Sequence, residues 1–345
     1  MKKSKLVLSA HRAAALATAV LAVIPVALAL SCAHPARRAS ETAAPADAPE
    51  AQTAQSASSV KNEASGYDGC VSVRLLTQNG TYSLPLDVYL RGVLYAEMPP
   101  DFPDEALRAQ AVAARTFVLR TMASGVHGGA VCDESACCQA YLDEQALHEA
   151  LGDDFDAEME RAARIVRSTD GVVASYHGRL IDAVYFSCSG GRTEDAAAVW
   201  GGDVAYLRSV DSPGEEAAAH YFDVTEVPLE AFRETILTAA PEADLTGTPD
   251  TWIGETQYTA GGGVASISIG GAALSGTQVR ALFSLRSAAF SVAVGEKSVA
   301  FETSGYGHRV GMSQYGASAM ADAGASFSDI LTHYYTGITL KTLRK

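Results

Sequence analysis

The stretch LPLDVYLRGVLYAEMPPDFPDEALRAQAVAARTFVLRTM, Leu84 to Met122, decides the fold of this chain because it encodes two helices on either side of a proline break. Proline is tolerated in the first turn of a helix, so Pro85 predicts a first helix over about residues 85–96. The dipeptide Pro99-Pro100 ends that helix. Apolar residues then recur at helical spacing, which predicts a second helix over about residues 104–123.

Strand and turn signals lie on both sides of these helices. Apolar and polar residues alternate over residues 71–75 and are followed by the turn sequence Gln-Asn-Gly-Thr at 78–81. Val172–Tyr176 and Leu180–Ser187 flank His177-Gly178, which predicts a second hairpin. The order of elements has no regular βαβ rhythm, so we predict an α+β fold of mixed helices and antiparallel hairpins.

Further helices are predicted toward the C-terminus. An acidic, amphipathic helical region is expected over residues 147–168, and another helix over residues 313–323. Ser326 and Asp329 have the spacing of a capping box for a last helix over residues 327–335.

Residues 1–32 have the pattern of an export or anchor segment. Basic residues precede an apolar run from Ala13 to Leu30, whose 18 residues approach the length that spans a bilayer. Because a basic flank stays cytoplasmic, we expect the rest of the chain at the extracytoplasmic face of the cell membrane. Cys32 is the candidate for lipid attachment, with a transmembrane anchor and a cleaved signal peptide as the alternatives.

Residues 33–66 are predicted to be a disordered linker. They are rich in Ala, Ser, Glu and Pro, and Val60 is their only large aliphatic residue. Such a segment buries too little apolar surface to fold. We therefore expect a single folded domain over residues 67–345, tethered to the membrane through the linker.

The overall charge excludes one class of partner. Lys and Arg number 26 against 40 Asp and Glu, which gives a net charge of −14. Nucleic-acid binding requires a basic face, so we expect no nucleic-acid partner.

Two polar, glycine-rich segments stand out as candidate binding loops. One is GYGHRVGMSQYGA, Gly305 to Ala317, and the other lies within YFSCSGGRTEDAAAVWGGDVAYLRSVDSPG, Tyr185 to Gly214. Glycines let the backbone approach a ligand closely, and polar side chains between them can hydrogen-bond a polar substrate. A surface turn is the alternative interpretation of such segments.

The three quoted segments, taken in order, resemble the stage II sporulation protein D (SpoIID/LytB) family of bacterial cell-wall proteins. The matching motifs are a Pro-Leu-x-x-Tyr-Leu helix, an Ala-Glu-Met, a Gln-Ala-x-Ala-Ala-Arg-Thr helix, a Ser-Gly-Gly-x-Thr turn and a His-x-x-Gly-Met-Ser-Gln loop. The resemblance covers roughly residues 67 to 343. One departure is Arg309, which stands where the family usually has Gly.

The resemblance implies a peptidoglycan lytic transglycosylase with Glu97 as its catalytic residue. Such an enzyme cleaves the β-1,4 bond between N-acetylmuramic acid and N-acetylglucosamine and leaves a 1,6-anhydromuramic end. Glu97 stands where the first helix should end, beside Met98 and two prolines. The negative end of the helix and desolvation both raise a carboxyl pKa, as a general acid requires.

The same motifs supply candidate substrate contacts in a sugar-binding groove. Arg115 is either a substrate contact or one partner of a structural ion pair, because a charge among small apolar residues needs a carboxylate or a groove. Aromatic faces stack on sugars, and amides and hydroxyls hydrogen-bond acetamido groups. The remaining candidates are Tyr185, Ser187, Ser189, Thr193, His308, Ser313, Gln314 and Tyr315.

A cysteine and histidine cluster predicts a structural metal. His127, Cys132, Cys137 and Cys138 fall within twelve residues, a spacing that suits tetrahedral zinc. Some family members carry a two-Cys, two-His zinc site in this loop. The alternative is a disulfide of Cys132 with Cys137 or Cys138. We expect structural zinc and no organic cofactor.

Three functions follow from these patterns. The first is the transglycosylase, with peptidoglycan glycan strands as substrate and a cell-wall amidase as a partner. The second is a non-catalytic, glycan-binding amidase enhancer, because some relatives are described in that way. The third is a zinc hydrolase, which would need an open metal position, and the sequence contains no HExxH motif. Retention of Glu97 in its motif favours the first.

Overall fold

The structure is a computed structural model that describes residues 66–345. The predicted anchor segment with Cys32 and almost all of the predicted linker lie outside the described residues. Within residues 66–345, no helix is both long and apolar enough to cross a membrane. Helices and mainly antiparallel sheets are mixed along the chain, which confirms the predicted α+β class.

The helices predicted over residues 85–96, 104–123, 313–323 and 327–335 agree closely with the structure, whereas those at residues 67–70, 196–200, 229–239 and 276–283 were not predicted. The region predicted as one helix over residues 147–168 is two helices, because Gly152 takes a positive φ of 56° and breaks it. The helices are α1 (Tyr67–Cys70), α2 (Leu86–Glu97), α3 (Asp104–Ser124), α4 (Glu144–Leu151), α5 (Phe155–Ser168), α6 (Ala196–Trp200), α7 (Leu229–Ala239), α8 (Gly276–Phe283), α9 (Gln314–Asp322) and α10 (Phe327–Tyr334).

The strands form several small sheets. Their orders are β2-β1-β3, β14-β4-β5, β13-β6, β10-β9-β8 and β11-β12-β7, and the parallel pairs are β1 with β3 and β6 with β13. The strands are β1 (Ser72–Thr77), β2 (Gly80–Pro85), β3 (Val131–Cys132), β4 (Val172–Tyr176), β5 (Arg179–Leu180), β6 (Tyr185–Phe186), β7 (Phe222–Pro228), β8 (Ile253–Tyr258), β9 (Val264–Ile269), β10 (Ala272–Leu274), β11 (Phe290–Val294), β12 (Ser298–Ser304), β13 (Met312–Ser313) and β14 (Thr339–Thr342).

The first hydrophobic core is built around α3. The helices α2, α5, α9 and α10 and the strand β4 all pack against it. The apolar face of α3 is rich in alanine, which lets these neighbours approach closely. Four residues that recur at helical spacing on that face are at most 1% exposed: Leu107, Ala111, Ala114 and Val118.

A second core lies between residues 222 and 304, where β7 to β12 enclose α7 and α8. Its centre is aromatic. The ring of Phe232 stacks on Phe283 at 5.2 Å and on Trp252 at 6.0 Å, and Phe301 leans against Phe283 at 4.9 Å. Stacked rings of this kind add to the stabilisation that comes from their burial.

Arg115 lies inside the first core, which corrects its assignment as a substrate contact. Its side chain is 0% exposed, and its Nη2 lies 2.6 Å from Oδ2 of Asp68 in α1. Its Nη1 also donates to the Val172 carbonyl oxygen at 3.2 Å. Of the two roles that the sequence left open for Arg115, the structural ion pair is therefore the one found. This ion pair joins the start of the domain to α3.

We expect Asp68→Ala to destabilise the domain strongly, because it leaves the Arg115 guanidinium buried without a carboxylate. Breaking a buried pair in this way costs about 3–5 kcal/mol. Glu160→Ala is the matched control, since it removes a carboxylate from an exposed pair with Arg164; that should cost about 1 kcal/mol or less. Urea unfolding of both variants measures the difference, and equal losses would contradict the prediction.

Candidate active site and metal-binding cluster

Glu97 is the last residue of α2, where the extended backbone of Met98 ends the helix. Its half-buried carboxyl is held by residues from two distant segments. Oε1 accepts a hydrogen bond from the Ala140 backbone N–H at 2.7 Å, and Oε2 accepts one from Gln314 Nε2 at 3.5 Å. Both donors are neutral, so they fix the carboxyl without forming an ion pair with it.

Burial raises the pKa of Glu97 above its ordinary value. Three hydrogen-bonding groups lower that pKa. The Ala140 N–H has the largest effect, the Gln314 amide the next and the Tyr185 hydroxyl the smallest. These groups carry no charge, and no second carboxylate of the described chain is among those that shift the Glu97 pKa. The site is therefore a single, partly desolvated carboxyl in neutral surroundings.

Tyr185 and Gln139 complete the surroundings of this carboxyl. The Tyr185 hydroxyl donates to Gln139 Oε1 at 2.8 Å, and Gln139 Nε2 donates to the Tyr89 hydroxyl oxygen at 3.1 Å. Tyr89 is fully buried, and its ring stacks on Tyr141 at 5.6 Å. The half-buried Tyr185 is thus anchored through its hydroxyl beside Glu97.

The glycine-rich segment enters the site because β13 pairs in parallel with β6. This pairing sets Ser313 opposite Phe186 and starts α9 at Gln314, whose side chain reaches Glu97. Ser313 is the N-cap of α9, and its hydroxyl accepts a hydrogen bond from Gly316 N–H at 3.2 Å. A Cβ added at Gly316 would meet the Tyr334 hydroxyl at 2.0 Å, so this turn requires glycine.

Three predicted groove residues are internal, which corrects their assignment as substrate contacts. Ser189, Thr193 and Ser313 are each 0% exposed. The Ser189 hydroxyl donates to the buried carboxylate of Glu215 at 2.9 Å, and the Thr193 hydroxyl accepts from the Val210 N–H at 2.8 Å. Their hydroxyls hold the polar loops in shape, as buried polar groups must be paired.

Ser187 and Tyr315 remain partly exposed near Gln314. The Tyr315 backbone N–H donates to the Ser187 carbonyl oxygen at 3.0 Å. The Tyr315 ring packs edge-on against Phe102, which lies in the loop between α2 and α3, at a centroid distance of 5.1 Å. Substrate contact by Tyr185, Ser187, Gln314 and Tyr315 stays a prediction that this geometry permits.

His308 is a half-buried ring packed between aromatic neighbours. Its centroid lies 5.2 Å from that of Trp200 and 5.5 Å from that of Phe186. Nδ1 accepts a hydrogen bond from the Val310 N–H at 3.1 Å. The ring also hydrogen-bonds the Tyr185 backbone, so it supports the strand that carries Tyr185.

The protonation of His308 leads to a prediction about stability. Burial, and secondly the charge of Arg280, lower the pKa of His308 to about 4. The unfolded chain takes up this proton near its ordinary pKa of about 6.5. The contribution of the neutral His308 ring to the free energy of unfolding is therefore fully present above about pH 6.5, and it is lost as the pH falls toward about 4.

We expect His308→Asn to lose the pH-dependent part of this stability, because Asn can accept the same Val310 hydrogen bond but does not titrate. The free energy of unfolding should differ most between variant and wild type above about pH 6.5, and the difference should shrink at lower pH. Urea unfolding at several pH values measures it. A constant difference across the range would show that protonation of His308 is not involved.

Arg309 is an internal cross-link rather than part of a groove. It has a positive φ of 63°, a conformation that favours glycine, and it is 3% exposed. Its guanidinium donates to the carbonyl oxygens of Ser189 at 2.7 Å, Arg192 at 2.8 Å and Gly261 at 2.9 Å, and lies 3.4 Å from Glu194 Oε1. Because Gly261 belongs to the turn between β8 and β9, the side chain ties the second core to the binding loops.

The predicted metal ligands come together in space. The donor atoms of His127, Cys132, Cys137 and Cys138 all lie within 4.8 Å of one another, and His127 Nε2 is 3.3 Å from Cys137 Sγ. In tetrahedral zinc sites the ligand atoms lie about 3.5–3.8 Å apart, so a modest contraction would suffice. Within residues 66–345 no disulfide joins these cysteines.

Separate local structures present these ligands. His127 lies in a short 3₁₀ turn after α3 and takes a positive φ of 50°. Cys132 lies on β3, paired with β1. Cys137 and Cys138 share one turn, in which both backbone N–H groups donate to the Glu134 carbonyl oxygen at 3.0 and 2.8 Å.

The predicted metal cluster is continuous with the surroundings of Glu97, as expected of a loop that holds Glu97 indirectly, but the sequence singled out neither Gln139 nor Ala140. Gln139 and Ala140 directly follow Cys138, and they supply the amide side chain at Tyr185 and the N–H at Glu97. Gln139 is 1% exposed. The sequence feature that could have pointed to it is a polar residue directly after the cysteine pair.

Comparison with known proteins adds independent observations. A family model described as "Stage II sporulation protein" matches residues 77–176. Stage II sporulation protein D of Bacillus amyloliquefaciens is 35% identical over 274 residues, covering 78% of this chain and 78% of that protein. Stage II sporulation protein D of Bacillus subtilis strain 168 is 34% identical over 259 residues, covering 74% of each. A protein of the same strain named "Amidase enhancer" is 30% identical over 301 residues, covering 73% of this chain and 40% of that protein.

Proposed function

This chain belongs to the stage II sporulation protein D family, and on that premise we propose that it is a lytic transglycosylase of bacterial peptidoglycan. It cleaves the β-1,4 bond between N-acetylmuramic acid and N-acetylglucosamine and leaves a 1,6-anhydromuramic end. The observation that carries the proposal is the single carboxyl of Glu97, partly desolvated and held by neutral hydrogen-bond donors.

One carboxyl suffices for this reaction. Burial raises the pKa of Glu97, which favours the protonated form that a general acid needs. Glu97 gives its proton to the glycosidic oxygen as the bond to the muramic anomeric carbon breaks. The C6 hydroxyl of the same muramic residue then attacks that carbon and returns its proton to Glu97. Because the attack is intramolecular, no water has to be activated by the second carboxylate that most glycosidases use.

The residues beside Glu97 suit a substrate of this chemistry. We expect the Gln314 amide, which is 6% exposed, to hydrogen-bond an acetamido group as well as Glu97. Tyr185 and Tyr315 are partly exposed residues whose rings we expect to stack on sugar faces, and the partly exposed Ser187 adds a hydroxyl. We expect glycan strands to pass across this group of residues.

We propose in addition that the protein binds one structural zinc ion. His127, Cys132, Cys137 and Cys138 would hold it, since three thiolates and an imidazole are the donors zinc prefers and their atoms already converge. Four protein ligands leave no open position, so the ion would cross-link the loop and supply nothing to the reaction itself. No organic cofactor is required.

We expect the domain to lie at the extracytoplasmic face of the cell membrane, where peptidoglycan is found. The anchor would be residues 1–32, through a lipid on Cys32 or a transmembrane segment, with residues 33–66 as tether. A cell-wall amidase is the expected partner, because in the family glycan cleavage follows removal of stem peptides.

The second candidate is a non-catalytic protein that binds glycan and assists an amidase. The 30% identity to the protein named "Amidase enhancer" favours it. In that case Glu97 would be dispensable for the effect on the amidase, and the chain would release no products from purified glycan.

Digestion of purified glycan strands separates the two candidates. The full-length protein is incubated with strands that carry stem peptides and with strands from which an amidase has removed them, and products are identified by mass spectrometry. Products with 1,6-anhydromuramic ends support the transglycosylase. Products one water heavier would indicate a hydrolase, and intact strands that co-sediment with the protein would indicate the binding protein.

A further inference from the structure

We propose that a cavity beside the β4–β5 hairpin binds an acidic sugar, with the carboxylate on two arginines and the sugar ring on two tyrosines. The cavity has a volume of about 500 Å³, within the range of about 300–1,000 Å³ that is usual for small-molecule sites. Its lining within residues 66–345 includes none of the groups around Glu97. The lining residues are Arg120, Tyr176, His177, Arg179, Leu180 and Tyr206.

The charge of this cavity is opposite to that of the whole chain. The chain has a net charge of −14, yet two of the lining residues are arginines, and none of those that the structure describes is Asp or Glu. Arg179 is exposed, and its guanidinium makes no hydrogen bond or ion pair with another of the described residues. This cation is therefore available to an anionic ligand.

Arg120 is held in place by Asp182. Its Nε and Nη2 both donate to that carboxylate, the bidentate arrangement that is common in Arg–carboxylate pairs. The Asp182 backbone N–H in turn donates to the Tyr206 hydroxyl oxygen at 2.9 Å. Among the described residues, Nη1 of Arg120 has no hydrogen-bond partner, so this edge of the guanidinium is left for a ligand.

The β4–β5 hairpin sets Arg179 beside Tyr176. His177 and Gly178 form the turn, with positive φ values of 47° and 80°, as a two-residue hairpin turn requires. The turn pairs Arg179 directly with Tyr176, and directly opposed side chains lie on the same face of a hairpin. Lys341 Nζ donates to the Gly178 carbonyl oxygen at 3.3 Å, which places another cation beside the turn.

Two tyrosine rings supply the apolar part of the cavity. The Tyr176 ring lies 5.5 Å from the Tyr206 ring, at an interplanar angle of 52°. The hydrogen bond from Asp182 fixes the Tyr206 hydroxyl, so the ring is held in place. Sugar faces stack on aromatic rings, and guanidinium groups pair with carboxylates. A sugar that carries a carboxylate therefore matches this cavity better than a bare anion, which would leave both rings without a contact.

The acidic sugar that we assign to the cavity is N-acetylmuramic acid, and this choice rests on the proposed function. A muramic residue without its stem peptide has a free lactyl carboxylate beside the sugar ring. Asp182 precedes Tyr185 by three positions, so their Cα atoms are at most about 10 Å apart. We expect a glycan strand that crosses Tyr185 to reach the cavity with a neighbouring muramic residue.

The test uses N-acetylmuramic acid itself, which contains no glycosidic bond to cleave. In ¹⁵N NMR of the full-length protein, the Nε–H signals of Arg120 and Arg179 are assigned by their loss in Arg120→Gln and Arg179→Gln. We expect N-acetylmuramic acid to shift both signals. Three compounds should bind at least about tenfold more weakly, because each lacks the carboxylate or the ring: the lactyl amide of N-acetylmuramic acid, N-acetylglucosamine and D-lactate.

Arg179→Gln should weaken the binding of N-acetylmuramic acid by about tenfold or more, because it removes a charged partner without breaking an internal ion pair. Arg164→Gln is the matched control. It removes the same charge from an exposed pair with Glu160 on α5, outside the cavity, and should leave binding unchanged. Equal weakening by the two variants would show that overall charge attracts the ligand, and it would overturn the proposal.

The ligand series gives two further outcomes that would overturn the proposal. One is binding of the lactyl amide or of D-lactate as tight as that of N-acetylmuramic acid. The other is a shift of the Gln314 side-chain amide signal while the signals of Arg120 and Arg179 stay in place, since the sugar would then bind beside Glu97 and not in the cavity.

Binding of this sugar does not depend on turnover, so it is separable from the proposed function. If N-acetylmuramic acid binds at Arg179 but purified glycan is not cleaved, the transglycosylase fails and the acidic-sugar site stands. If glycan is cleaved but saturating N-acetylmuramic acid leaves both arginine signals unmoved, the site is overturned and the proposed reaction stands.

Discussion

We expect Glu97→Gln to abolish glycan cleavage while the domain stays folded. The amide keeps the size of the carboxyl and an oxygen that can accept the Ala140 hydrogen bond, but it cannot deliver an acidic proton. Loss of general acid catalysis lowers the rate by about 100- to 10,000-fold. Because burial already disfavours the charged carboxylate, the neutral amide should not reduce the melting temperature.

Asp101→Asn is the matched control for this prediction. Asp101 is an exposed carboxylate four positions along the chain, on the loop before α3. Release of anhydromuramic products from stem-peptide-free glycan, measured by mass spectrometry, should be lost in Glu97→Gln and retained in Asp101→Asn. Product formation at the wild-type rate by Glu97→Gln would remove this residue from the mechanism. Equal losses in both variants would instead indicate two carboxylates.

Removal of the metal from the cluster of His127, Cys132, Cys137 and Cys138 should lower thermal stability strongly. An ion present at about 1,000 times its dissociation constant stabilises the folded state by about 4 kcal/mol. At roughly 2–4 °C per kcal/mol, a chelator should reduce the melting temperature by about 10 °C. Activity should fall as a consequence, because the same loop carries the Ala140 N–H that holds Glu97.

Elemental analysis of protein purified without added metal tests whether the cluster binds zinc. We expect one zinc per chain in the wild type and a large loss of zinc in Cys138→Ser. Cys70→Ser is the matched control, since this exposed cysteine on α1 lies outside the cluster, and it should retain the metal. Protein that lacks zinc and contains a titratable disulfide among Cys132, Cys137 and Cys138 would refute the zinc site and leave the proposed reaction untouched.

Local sequence determined much of the secondary structure. Pro99 and Pro100 separate α2 from α3 as expected, because a proline removes a backbone donor and clashes with the preceding turn. Ser326 and Asp329 form the expected capping box at the start of α10. The four metal-binding candidates also converge, as their spacing within twelve residues predicted, although the 3₁₀ turn at His127 and the pairing of β3 with β1 are needed to bring them together.

The tertiary structure decided which polar residues face a substrate and which lie inside. Arg115, Ser189, Thr193 and Ser313 carry polar groups of the kind that line a groove, yet each is paired within the protein. Their partners are distant in the chain: Asp68 lies 47 positions from Arg115 and Glu215 lies 26 from Ser189. Local patterns of sequence contain no information about which remote group will satisfy a buried hydrogen bond.

The composition of the active site is likewise a property of the folded chain. Gln314 reaches Glu97 across 217 positions, and Ala140 reaches it across 43. The motif identified Glu97, because its place at a helix end before two prolines is a local feature. Its neutral donors and the orientation of the Tyr185 proton come from the packing of separate segments, because hydrogen-bond direction is set only when those segments meet.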